Sequence, residues 1–184
     1  MSKGEVVLLD CWASPFCLRA KIASAEKGVE YEARAENLFG GKSDLLLKSN
    51  PIFKKVPVLL HDGKPLCEST IIVNYIDETW PSPPLLPSCA SERAKARFWS
   101  DFIDKKKDFF GGDSFGFVDV IAIPLTCWFY AVEEFGGFKV ENECPKFSAW
   151  MNKCMQRDTV ARILPDPEKV YEFVIMLRNM FGIE

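Results

Sequence analysis

Residues 5–17 read Glu-Val-Val-Leu-Leu-Asp-Cys-Trp-Ala-Ser-Pro-Phe-Cys, and this stretch decides the fold. Residues 6–9 are a short apolar run closed by Asp10, the length and composition of a buried strand. Ser14-Pro15 then opens a helix, because serine accepts from the free N–H groups of a first turn and proline has no N–H to waste there. Ile22, Ala23 and Ala25 carry that helix to a stop at Gly28. A strand that turns at once into a helix leaves a serine hydroxyl at a helix N-terminus.

Outward from this junction, strand and helix signals alternate. Residues 31–35 read as a second strand, and residues 43–49 as a short helix ended before Pro51. Residues 56–60 and 65–67 flank Asp62-Gly63, an antiparallel hairpin on a primed turn. Ser69 is expected to cap a helix through Tyr75 and Ile76, giving the order βαβαββα. Residues 81–87, Pro-Ser-Pro-Pro-Leu-Leu-Pro, suit neither a helix nor a central strand and read as a linker. Beyond it Ala94, Phe98 and Phe102 recur at helical spacing, with Trp99 and Ile103 beside them. Residues 118–132 are apolar nearly all round, which predicts one central buried helix, and residues 145–156 and 167–180 supply two more. The reading is a domain of residues 1–80, a proline-rich linker of 81–90 and an all-helical domain of 91–184.

The balance of the chain narrows the function classes. Its 184 residues are 48% hydrophobic and 27% charged, which suits a globular protein with a core of its own. The net charge of −3 provides no basic field for nucleic acid or an anionic membrane. The basic run Lys105-Lys106-Lys107 reads as a helix end, where cations suit the macrodipole. The longest uncharged apolar stretch contains Pro124 and is too short for a membrane helix, and residues 6–9 are too short for a secretory core. Seven scattered cysteines without a CxxC read as reduced thiols in a cytoplasmic protein. With His61 the single histidine, no metal site is expected.

Three groups of residues can carry chemistry. The Ser14 hydroxyl and the helix N-terminus behind it can stabilise an anion, although Ser14 taken alone reads more readily as a plain cap. For a thiol, lowering the pKa from about 8.5 to about 6.5 takes roughly 2.7 kcal/mol and makes the thiolate the major species at pH 7. Lys55-Val56-Pro57-Val58 presents a proline that can be cis on an edge strand, which would leave the Val56 N–H and C=O to pair with an extended peptide. Glu68-Ser69-Thr70 places a carboxylate and a hydroxyl at another helix start, suited to an ammonium and a carboxylate respectively. Together with Lys42 and Lys55 as cations, these groups match glutathione, which has one thiol, two carboxylates and one amine.

Here the chain resembles a known family. The phrases 7–10 with Trp12 and Ser14-Pro15-Phe16, 54–59 and 63–65 with Glu68-Ser69 are similar to those of plant tau-class glutathione S-transferases. Residues 109–119 and 165–173 continue the likeness through the second half. The resemblance implies a thioredoxin-like α/β domain followed by an all-α domain. It also implies transfer of the glutathione thiolate to electrophilic, mostly apolar acceptors, with glutathione as co-substrate and no cofactor. By the same resemblance Ser14 activates the thiol, with Pro15 and Phe16 beside it. Lys42 and Lys55 hold the glycyl carboxylate, Val56 and Pro57 face the cysteinyl backbone, and Glu68 and Ser69 hold the γ-glutamyl end. Cys11, Phe16, Trp128, Phe173 and Leu177 are the implied acceptor pocket, each of which reads equally as ordinary core. A homodimer in the cytoplasm is the implied assembly.

The chain departs from the family between about Lys106 and Lys107, where the pattern of relatives continues for about two more helices. That stretch implies one wall of the acceptor pocket and part of a dimer interface, so reduced transferase activity is expected. A non-catalytic carrier of glutathione or apolar ligands, and a glutathione-dependent peroxidase, are the alternatives. Cys11 stands where relatives often carry an aromatic. Cys17 completes Ser-x-x-Cys and reads as a buried helix residue.

Overall fold

A computed structural model describes residues 4–37, 39–104 and 115–183. Strand β1 (Val6–Asp10) is central, with β2 (Glu32–Ala35) parallel on one side. On the other side β3 (Val58–His61) and β4 (Lys64–Cys67) follow antiparallel, giving the order β2-β1-β3-β4. Alternation along β1 explains its place. Val6 and Leu8 enter the larger core, whereas Val7 and Leu9 meet Val58, Leu60 and Leu46 on the opposite face. The hairpin turn is of the expected kind, with Asp62 at φ 51° and Gly63 at φ 73°.

Helices α1 (Pro15–Glu26) and α3 (Ser69–Thr79) pack together over one face, and α2 (Asp44–Ser49) covers the other. Their caps follow from sequence. Ser14 and Ser43 accept from the N–H groups of Cys17 and Leu46, and Gly28 beyond α1 adopts φ 61°. At α3 the expectation is corrected: Glu68 is the cap and Ser69 the first helical residue. Glu68 turns the chain through a φ of 69°, and the Ser69 hydroxyl is engaged elsewhere, as described below.

Residues 81–89 form no regular element, and α4 (Ala90–Asp104) starts one residue inside the segment read as linker. Asp77 anchors this passage, accepting from the Leu85 and Leu86 N–H groups at 2.7 and 3.0 Å and pairing with buried Lys27. The remainder is helical: α5 (Phe117–Ala122), a 3-10 segment (Ile123–Trp128), α6 (Phe129–Gly136), α7 (Val140–Glu143), α8 (Pro145–Met155), α9 (Asp158–Ala161) and α10 (Pro167–Phe181). The single helix expected over 118–132 is therefore three pieces. Pro124 cannot donate in an α-helical ladder, so the chain tightens into the 3-10 segment where it stands. The Lys105–Lys107 run, the segment 109–114 and the Lys106/Lys107 junction lie outside the described residues, as does the Phe102 side chain.

Among the described residues no helix is long and apolar enough to cross a membrane, and no cluster of ligating side chains could hold a metal ion.

Candidate active site

The turn after β1 fixes Ser14. Its N–H donates to the Cys11 carbonyl at 3.0 Å, and its carbonyl accepts from Leu18 N–H at 3.1 Å. Its Oγ accepts from Cys17 N–H at 3.4 Å, and a hydroxyl that accepts keeps its own proton to donate. Two residues on, half-exposed Phe16 forms part of a cavity of about 260 Å³. Lys55, Val56 and Pro57 form one wall of that cavity, Glu68 and Ser69 another, and Asn50 and Phe53 close it. The Val56–Pro57 bond is cis. A neighbouring cavity of about 320 Å³ shares Phe16, Glu68 and Ser69 and extends to Arg97 and Asp101 of α4.

The electrostatics of the cavity are lopsided in a useful way. Lys55 supplies an exposed cation at one side and Glu68 an exposed carboxylate at the other. Helix α3 has no side-chain cap, and its cap residue Glu68 and first residue Ser69 both line the cavity, which places the positive end of the helix dipole there. Glu68 holds a backbone conformation that costs a non-glycine residue about 1–3 kcal/mol, a strain of the kind stored at ligand clamps. Such a pocket accommodates a small zwitterionic chain with anionic ends.

Sequence reading missed three supports. Arg19 is fully buried, donating from Nε to the Ile121 carbonyl at 2.8 Å and from Nη1 to Ser69 Oγ at 3.1 Å. Its guanidinium also lies 5.0 Å from the centre of the Phe16 ring. The available signal was a charge among Leu18, Ala20 and Ile22 on the inner side of α1. Asn50 braces the loop before β3, donating to Lys55 O at 2.9 Å and accepting from Phe53 N–H at 3.1 Å. Phe53, exposed on that loop, carried no signal.

Other expected residues fall in different places. Lys42 is exposed just before the α2 cap and is not part of the cavity wall. Pro15 is half-buried as the first residue of α1. Trp128 and Phe173 do meet, with ring centres 6.3 Å apart, and Trp128 Nε1 donates to Ala13 O at 3.2 Å beside the Ser14 turn. Trp12, which the sequence reading used only for the family likeness, and Phe39, which it did not use, complete this group at 5.5 and 6.2 Å from Phe173. Leu177 follows one turn later on α10, half-buried, and Cys11 is half-buried at the start of the loop. Phe16 stands with the Lys55 cavity. Cys17 is buried, its thiol pushed up to about 12 by desolvation despite the hydrogen bond with Ser14.

Fold and cavity define a thioredoxin-like α/β unit joined to a helical unit, with a cavity lined by Lys55, Glu68 and Ser69. Residues 4–78 match the glutathione S-transferase N-terminal domain and residues 96–158 the C-terminal domain. The probable glutathione S-transferase parC of Nicotiana tabacum is 49% identical, with both chains covered to 100%. Glutathione S-transferase U28 of Arabidopsis thaliana is 46% identical, covering 98% of each. Among solved structures, rice GST1 in complex with glutathione superposes at a TM-score of 0.88, with 42% identity over 97% of this chain and 100% of that one. The tau-class enzyme of mango, Mangifera indica, gives a TM-score of 0.86 with 35% identity, over 96% and 100%. The chain belongs to the glutathione S-transferase family, within its plant tau class.

Proposed function

We propose that this glutathione transferase binds glutathione along the Lys55–Ser69 cavity and transfers its thiolate to electrophilic, mostly apolar acceptors, with Ser14 as the activating residue. One observation carries the reading: a cation at Lys55 and the N-terminus of α3 with Glu68 line one cavity together with Phe16, which stands two residues after Ser14; Ser14 itself is not in the cavity wall. In this reading Lys55, with Lys42 as a longer-range cation, holds the glycyl carboxylate. Val56 pairs with the cysteinyl backbone, held by Pro57. Ser69 and the α3 N-terminus take the γ-glutamyl carboxylate and Glu68 its ammonium. Pro15 and Phe16 shape the floor between them. The Ser14 O–H donates to the thiolate sulfur, which attacks the electrophilic carbon as the leaving group departs.

The acceptor is proposed to bind at the aromatic group of Trp12, Trp128 and Phe173, with Cys11 and Leu177 at its edges. Residues 1–80 and 91–184 are assigned to the two halves of the reaction, glutathione and acceptor. The alignment with the tobacco relative runs over 222 residues against 184 here, which supports a stretch absent from this chain; we propose that it lies near Lys106/Lys107 and that the acceptor wall is weakened. Exposed Ile52, Ile71 and Phe98 favour a homodimer, and the free-thiol composition favours the cytoplasm. The relatives' names favour transfer over the carrier and peroxidase alternatives.

The test is conjugation of glutathione to a small aryl halide by wild type and Ser14→Ala, alongside calorimetric glutathione binding. Turnover that collapses in the variant supports the reading. Binding without turnover in wild type replaces it with the carrier.

A further inference from the structure

Cysteines stand at both ends of the loop that carries Ser14. Cys17 Sγ lies 3.4 Å from the backbone nitrogen of Cys11 and accepts its N–H. Cys11 is half-buried beside the active turn, and Cys17 is fully buried beneath it. A disulfide joins Cβ atoms about 3.5–4.5 Å apart, and the Cys17 sulfur already reaches the backbone nitrogen of Cys11, one bond from that residue's Cα. A second feature lies beside the pair: Asp10 immediately precedes Cys11, and its charge is felt by the Cys17 thiol. Asp10 is only 6% exposed, and among the described residues its Oδ1 is buried with no hydrogen-bond partner, while Oδ2 pairs with Lys21. A buried carboxylate oxygen without a partner is costly unless it has work to do.

We propose that Cys11 and Cys17 form a reversible disulfide across the Ser14 loop by exchange with a low-molecular-weight disulfide, with Asp10 Oδ1 taking the proton from Cys17. Cys11, the accessible sulfur, loses its proton to solvent and attacks one sulfur of glutathione disulfide. That S–S bond breaks, a mixed disulfide forms, and one glutathione leaves as thiolate. Cys17 then attacks the Cys11 sulfur, its proton passing to Asp10, and the second glutathione leaves as thiolate. Both cysteines are oxidised, and one glutathione disulfide is reduced to two thiols. Burial keeps Cys17 protonated at rest, helped by the nearby Asp10 charge, so its proton must depart during the attack. The ring closed by this bond contains Ser14, so oxidation disturbs the hydroxyl that activates the substrate thiol. Delivery of glutathione disulfide by the neighbouring cavity rests on the function proposed above; the cysteine pair does not.

The test is incubation of the whole protein with glutathione disulfide, followed by tryptic mass mapping. Both cysteines fall in one peptide, residues 4–19. The expected result is that this peptide becomes lighter by two hydrogens and returns to its original mass with dithiothreitol. Cys17→Ser, which removes only the resolving sulfur, is expected to trap one glutathionyl group on Cys11. Asp10→Asn, with its fold checked by circular dichroism, slows closure by about 10²-fold and accumulates the same adduct. Free thiols in this peptide while exposed Cys89 and Cys144 carry glutathione overturn the proposal, as does a stable Cys11 adduct in wild type. Hydroxyethyl disulfide separates the two claims. If it closes the bond as fast as glutathione disulfide does, the pair stands and the cavity reading loses support.

Discussion

Arg19 and Ser69 join the two halves of the protein at the pocket. The guanidinium donates to Ser69 Oγ at 3.1 Å and, through its other face, to the carbonyl of Ile121 in the helical half. Because Ser69 accepts from a cation, its own O–H remains a donor, polarised for a carboxylate, on a residue that lines the cavity.

Replacing this residue by Arg19→Met keeps the apolar stem and removes every donor. Stability is expected to fall by about 1.5–3 kcal/mol, the range for hydrogen bonds to a charged group. The KM for glutathione is expected to rise about tenfold with a smaller change in kcat. Urea unfolding and steady-state kinetics check both; an unchanged KM contradicts the assigned role.

Asp77 holds the passage between the halves. Its carboxylate accepts from the Leu85 and Leu86 N–H groups and pairs with buried Lys27. Asp77→Ala leaves that cation buried without its partner and is expected to cost about 3–5 kcal/mol. Asp77→Asn retains one acceptor oxygen and should lose less. Equal losses in thermal unfolding contradict this account.

The cavity wall separates the two lysines. Lys55→Ala is expected to weaken glutathione binding by about tenfold or more, from loss of a charge-assisted contact of about 1.5–3 kcal/mol. Lys42→Ala, outside the wall, should weaken it less. Calorimetric titration decides, and the reverse order would reassign the glycyl end.

The buried thiols make stability fall in alkali. Desolvation pushes Cys17 and Cys127 up to about 12, whereas unfolded thiols ionise near their ordinary value of 9.0. Above about pH 9 the unfolded chain releases protons that the native chain retains, so each thiol lowers stability by about 1.4 kcal/mol per pH unit until its folded pKa is reached. Melting at pH 8 and pH 10 should show this loss, and Cys127→Ala should reduce it. In neutral solution Cys89 should react first with a thiol reagent, since the Ser91 hydroxyl and nearby backbone N–H groups hold its pKa down at an exposed position.

What could be read from sequence was local. The caps at Ser14 and Ser43, the Asp62-Gly63 turn and the alternating residues of β1 are each set by a few adjacent residues. Residues 118–132 misled because an apolar surface all round carries no period, and the break depends on one proline. Glu68 in place of Ser69 as cap follows from a positive φ that its residue type disfavours. Arg19, Trp12 and Phe39 gain their places from contacts distant in the chain, which no local pattern records. The four-residue helices α7 and α9 are too short to show a repeat.

The central claim is that Ser14 lowers the pKa of a bound glutathione thiol. The direct measurement is titration of the bound thiolate by its ultraviolet absorbance, in wild type and Ser14→Ala at saturating glutathione. The account predicts a midpoint near 6.5 in wild type, roughly two units below the free thiol, and a return toward about 8.5 in the variant. The lost cap itself should cost only about 1 kcal/mol of stability. A variant that binds glutathione with the wild-type midpoint would contradict the claim and move the activation to another group.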